Sequence, residues 1–107
     1  MGIKRPEGDW DIRRVRTHPG EILLQEFMKP LNLTINRLAL DLRVPVSRIN
    51  DIVHGRRSIT ADTATRLSVY FGMSAEFWLN AQTGYDLSKI RVEKLSAIKL
   101  EVLPRSA

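Results

Sequence analysis

The chain has 107 residues, 43% of them apolar, with 17 lysines and arginines against 12 aspartates and glutamates and no cysteine. That length predicts a single domain. The missing thiols exclude disulfides, zinc–thiolate sites and cysteine catalysis. No run approaches the roughly 18 apolar residues of a membrane helix, and the N-terminus lacks the apolar core of a signal peptide, so no membrane partner and a cytoplasmic location are expected. A net charge of +5 favours a polyanionic partner, although ribosome association or plain solubility gives the same balance.

In chain order, residues 1–17 combine Pro6, Gly8 and mixed charges with little periodicity, which predicts a flexible arm. His18-Pro19-Gly20-Glu21 reads as a helix start, with proline near the first helical position and a carboxylate in the first turn. This helix passes through Ile22, Leu23, Phe27 and Met28 and is expected to stop before Pro30. Thr34 caps a second helix, in which Ile35, Leu38, Ala39 and Leu42 form one apolar stripe. Only Arg43, Val44 and Pro45 separate it from a third helix, Val46 to His54, with Val46, Ile49, Ile52 and Val53 on its stripe. Gly55 is a natural residue to follow it. Thr60 caps a fourth helix that buries Ala64, Leu67 and Phe71 and ends at Gly72. Ser74 caps a fifth, with Trp78, Ala81, Gln82 and Tyr85 on one stripe, and the aromatics are expected to be mainly core.

The predicted fold is therefore all-α: an arm over 1–17, a five-helix domain over 18–86 and an extension over 87–107. In the extension, Leu87, Ile90, Arg91 and Lys94 have the spacing to prolong helix five. Ile98, Leu100 and Val102 alternate, which predicts either a short strand needing a partner edge or a frayed tail.

Two short amphipathic helices joined by a tight turn and followed by Gly-Arg-Arg form a helix-turn-helix, whose second helix enters the major groove of DNA by its N-terminal part. Val46, Ser47, Arg48, Asn50 and Asp51 then become the candidates for base readout. Arginine can fork onto guanine, asparagine can bridge adenine, and Val46 can touch a thymine methyl. Asp51 can accept from cytosine or form a local bridge with Arg48, and the bridge is the favoured reading. Thr34, Asn36, Arg43, His54, Arg56 and Arg57 suit phosphate contact, Thr34 because a helix N-terminus favours an anion. An enzyme is a poor reading: His18 and His54 are both explained by helix ends, and no carboxylate pair, phosphate loop or metalloprotease motif occurs. No cofactor or metal is expected. An RNA-binding module would need exposed stacking aromatics that the pattern lacks.

The runs HPGEIL (18–23), LA (38–39), VPVSRINDIVHGRRSITADTATRLSVYFG (44–72) and SAEFWLNAQTGYDL (74–87) resemble the HigA-type antitoxins, a branch of the XRE helix-turn-helix family related to lambda-like phage repressors. The resemblance covers about Thr17 to Leu87. It implies a lambda-repressor-like domain that binds a palindromic operator as a homodimer, represses its own operon, and neutralises a cognate RelE-like toxin that cleaves mRNA. The rival is a stand-alone repressor with no toxin. Many XRE proteins carry glutamine where this chain has Ile35 and Val46, neither of which makes glutamine's hydrogen bonds, so the resemblance implies the docking geometry and not the base preference. For the dimer or toxin interface the candidates are Trp10, Leu79, Ile90, Ile98 and Leu100. The arm around Trp10 and the C-terminal segment are candidates because the bundle needs neither.

Overall fold

The computed structural model describes residues 14–106, and among them all regular structure is helical. The arm's residues up to 13, with Trp10, lie outside the described part. Two compact units result: Thr17–Thr83, and a second to which the described residues 14–16 and 84–106 belong.

In the first unit, α1 (Pro19–Ile22) begins where the His18 ring nitrogen Nδ1 accepts the Gly20 N–H at 2.8 Å. The helix then widens over Leu23–Met28, with the Lys29 N–H reaching back to the Leu24 carbonyl, and tightens into a 3₁₀ turn at Lys29–Leu31. The helical path thus passes Pro30 rather than stopping before it. Proline has no N–H for an α-helical bond and its ring would crowd the Glu26 carbonyl, and the change of winding accommodates both. The turn ends at Asn32 in the left-handed region (φ 55°).

Helix α2 (Ile35–Leu42) starts at Thr34, whose Oγ1 accepts the Arg37 N–H at 3.0 Å, and stops at Arg43, itself left-handed (φ 60°). Helix α3 (Val46–Val53) follows Pro45. Helix α4 (Ala61–Phe71) starts after Thr60, whose hydroxyl makes no capping bond, and ends at Gly72 (φ 83°). Ser74 does cap α5 (Ala75–Glu93), accepting the Phe77 N–H at 3.1 Å.

The apolar stripes meet in one core. Leu38, Ala39 and Leu42 of α2 are buried with Ile49, Ile52 and Val53 of α3, alongside Leu23, Leu67 and Trp78. Ile35 and Phe71 are only half-buried against this core, and Val46 lies outside it at 46% exposure. Phe27 organises the aromatics, with ring centroids 4.9 Å from Trp78, 5.1 Å from Phe71 and 6.1 Å from Phe77. Tilted and edge-on packing of this kind adds to simple burial. At the crossing of α1 and α3 the backbones come so close that a β-carbon on Gly20 would overlap the Ile52 carbonyl oxygen.

In the second unit, buried Ser88 accepts the Arg16 N–H and donates to the Tyr85 carbonyl, each at 2.8 Å. The backbone at Arg16 is therefore tied down. Helix α5 continues unbroken through Leu87 and Ile90 to Glu93, as the spacing of those residues predicts. The segment expected as a strand or frayed tail is a helix, α6 (Leu95–Glu101), closed by Ile98 N–H to the Lys94 carbonyl and Val102 N–H to the Ile98 carbonyl. Ile98 and Leu100 therefore do not alternate across a sheet. Leu95 and Ile98, spaced i and i+3, are the half-buried pair, while Leu100 is 89% exposed. The run is rich in good helix formers, and with no neighbouring strand to pair with among the described residues, that local preference decides.

Candidate nucleic-acid interface

Helix α3 buries Ile49, Ile52 and Val53 and turns the rest of its surface outward. Val46 and Ser47 are exposed in its first turn, and Arg48, Asn50 and Asp51 are half-buried. An opening helix turn that is open and anchored only by its inner face is what major-groove insertion requires.

Arg48 does not bridge to Asp51, as the sequence suggests. Its Nη1 donates to Asp62 Oδ2 of α4 at 2.8 Å. The same oxygen accepts Arg66 Nε at 2.9 Å, and Arg66 Nη1 donates to the Leu42 carbonyl at the end of α2, also at 2.9 Å. Asp51 instead faces the other way along α3. Its Oδ1 lies 3.2 Å from Arg56 Nη2 and its Oδ2 4.0 Å from Arg57 Nη2. The hydrogen bonds from Arg66 and then Arg48 hold the Asp62 carboxyl below its ordinary value, so it is an anion throughout the neutral range.

The loop after α3 is shaped from beneath. Gly55 turns the chain in the left-handed region (φ 75°), and the Arg56 N–H closes on the Asp51 carbonyl at 2.8 Å. Ile59 is buried, and its N–H donates to the buried Gln82 side chain at 2.8 Å. The loop backbone is fixed at both ends, while the Arg56 and Arg57 side chains remain 57% and 47% exposed. Arg48 and Arg57 line one shallow recess of about 200 Å³ with Ser58, Thr60, Asp62 and Thr63.

The other phosphate candidates are placed as follows. Thr34 and Asn36 are exposed at the start of α2, with Thr34 using its hydroxyl as cap acceptor. Arg43 is exposed at the left-handed end of α2. His54 is exposed, but its Nδ1 lies 2.7 Å from the Asn50 carbonyl. That hydrogen bond requires a proton on Nδ1, leaving Nε2 as the ring nitrogen for any phosphate contact.

Sequence reading missed Asp62, the partner of Arg48, and Arg66, which shares that carboxylate. Their i, i+4 spacing on α4 was visible, but a carboxylate fourteen residues from Arg48 has no local signature. It missed the role of Gln82 likewise, placing it only on a helix stripe.

The two needs of a reading head, an anchored inner face and a cation-rich outer one, are met on α2, α3 and the following loop, which together define a helix-turn-helix domain. Residues 24–78 match the family model described as Helix-turn-helix. The chain is 54% identical over 79 residues to Virulence-associated protein I of Dichelobacter nodosus, covering 74% of this chain and 73% of that protein. An addiction module antidote protein of the HigA family from Coxiella burnetii superposes with a TM-score of 0.76 at 44% identity, covering 83% of this chain and 97% of that one. The Pseudomonas aeruginosa antitoxin HigA, solved with the higBA promoter, does so with a TM-score of 0.80 at 40% identity, covering 87% and 100%. The chain belongs to the XRE-type helix-turn-helix family, and its structural relatives include HigA-type antitoxins.

Proposed function

We propose that this protein is a HigA-like antitoxin that binds operator DNA through α3 and represses its own operon. The observation that carries the reading is the outer surface of α3: an open first turn at Val46 and Ser47, Arg48 held beside it, and Arg56 and Arg57 at its far end. The relative solved with promoter DNA supports the same docking. Base readout falls to Val46, Ser47, Arg48 and Asn50, with Asp51 serving Arg56 and Arg57. Phosphate contact falls to Thr34, Asn36, Arg43, His54, Arg56 and Arg57.

The protein acts as a homodimer on a palindrome, with half-sites centred roughly 34 Å apart. Exposed Leu87, Ile90 and Val92 near the end of α5, and Leu100, Val102 and Leu103 after them, support a self-complementary apolar contact. Leu79, half-buried against the core, is less available for it. The partner neutralised is a small RelE-like ribonuclease encoded beside this chain.

The test is co-expression with the product of the adjacent reading frame. Growth arrest by that product alone, rescue by this chain, and co-purification of the two support the antitoxin reading. An adjacent product that neither binds nor harms cells overturns it in favour of a stand-alone repressor.

A further inference from the structure

We propose that Asp62 is a specificity-positioning residue: from α4 and without touching DNA, it presets the Arg48 guanidinium for guanine. The inference rests on the DNA-reading role of α3. Arg48 commits one donor, Nη1, to Asp62 Oδ2. Its Nε–H and Nη2–H, the side-on pair that matches the two acceptors N7 and O6 of guanine, lie on the other edge of the plane. A carboxylate on Nη1 thus restrains the guanidinium and leaves the bidentate edge to a base. An arginine on a free stem must give up rotamer freedom when it pairs with a base, and a pre-oriented fork gives up less.

Asp62 can do this because it is itself held. Arg66 clamps the same oxygen and is moored on the Leu42 carbonyl. The relay runs from the end of α2 through α4 to the reading turn of α3, so the orientation of Arg48 is referred to the helix-turn-helix frame. None of these side chains is deeply buried, and exposed ion pairs contribute little to stability. The relay therefore has a small structural role, and its effect is read in base preference.

The experiment selects a randomised duplex pool with the full-length wild type, Asp62→Ala, Arg48→Ala and the double variant, sequences the bound duplexes and measures affinities for the selected site and its single-base changes. Wild type should prefer guanine at one position of each half-site by roughly ten-fold or more, the range of one bidentate pair. Asp62→Ala should cut that preference to about two- or three-fold at that position only. Its affinity for random duplex should hold or rise, because a negative charge has been removed. In the Arg48→Ala background the same substitution should change the preference no further, since the two act as one unit. Asp62→Glu should restore part of it, and melting temperatures should stay close to wild type. An Asp62→Ala profile equal to wild type, while Arg48→Ala loses guanine, overturns the positioning role alone. A change at Asp62 that persists without Arg48 also overturns it. A wild type with no sequence preference overturns the DNA-reading role on which it rests.

Discussion

Gly20→Ala adds one methyl group where α1 crosses α3, and the result should be out of proportion to its size. The new β-carbon would lie 2.6 Å from the Ile52 carbonyl carbon, overlap its oxygen, and stand 3.1 Å from His18 Nδ1. Ordinary van der Waals separation is about 3.5 Å, so the carbonyl carbon alone demands a retreat of about 0.9 Å. Both Gly20 and Ile52 are buried, and the obstacle is backbone, which has no alternative rotamer to adopt. Overpacking a core costs about 1–3 kcal/mol, and a backbone clash belongs at the upper end. Alanine's better helix propensity offsets at most about 1 kcal/mol. The net loss is roughly 2–3 kcal/mol, a fall in melting temperature of about 10–20 °C for a domain of this size. Circular dichroism at 222 nm measures it. Operator binding, measured well below the melt, should also weaken because α3 is displaced. Gly72→Ala is the control: nothing lies within 4 Å of its β-carbon, and only the left-handed φ of 83° penalises it, at about 1–2 kcal/mol. A Gly20→Ala protein that melts within about 2 °C of wild type would refute the close crossing.

Thr34→Ala removes the acceptor for the Arg37 N–H at the start of α2 and should cost about 1 kcal/mol, with Thr34→Ser restoring most of it in chemical denaturation. Arg57→Ala should weaken binding to every duplex alike and lower the slope of log affinity against log salt by about 0.9, the share of a single phosphate. Its 4.0 Å pair with Asp51 is solvent-exposed, so the melting temperature should not move; an unchanged salt slope would remove Arg57 from the interface. Tyr70 donates to Asp41 Oδ2 at 2.7 Å, and that bond to a carboxylate raises the phenol above its ordinary value. Because the folded state favours the neutral phenol, the contribution is complete below the usual tyrosine value near 10 and fades as pH rises through the higher folded value. Ultraviolet titration of Tyr70 in a Tyr85→Phe background should move towards ordinary tyrosine in Asp41→Asn, and no movement would contradict the hydrogen bond.

What the sequence makes legible here is periodic and local. The stripes of α2 and α3 identify six buried residues because a buried helix face repeats every three or four positions. They overreach at Val46, which lies outside the core, while Ile35 packs half-buried against its edge. Capping at Thr34 and Ser74 is equally local, since donor and acceptor are three residues apart. The C-terminal segment misleads because its few apolar residues satisfy both periods. Alternating Ile98, Leu100 and Val102 mimic a strand, while Leu95 and Ile98 carry the helical spacing. The contacts that shape the candidate site are of another kind. Gly20 against Ile52, Arg48 on Asp62 and Ile59 on Gln82 join positions brought together only by the packing of helices, so no pattern along the chain announces them.

Those non-local contacts divide the labour at the reading head. The backbone of the loop after α3 is held by groups DNA cannot displace: Ile59 is buried, and its N–H is bonded to a buried glutamine. The guanidinium groups of Arg56 and Arg57 rest on Asp51 in exposed pairs at 3.2 and 4.0 Å. Exposed pairs of this sort contribute at most about 1 kcal/mol, so a phosphate can replace the carboxylate at small cost. On the proposed function, the arginines are kept near where phosphates arrive and are not trapped there. Little of the binding energy is then consumed in ordering the loop, and Asp51 acts as a placeholder for the DNA backbone rather than as a reader of cytosine.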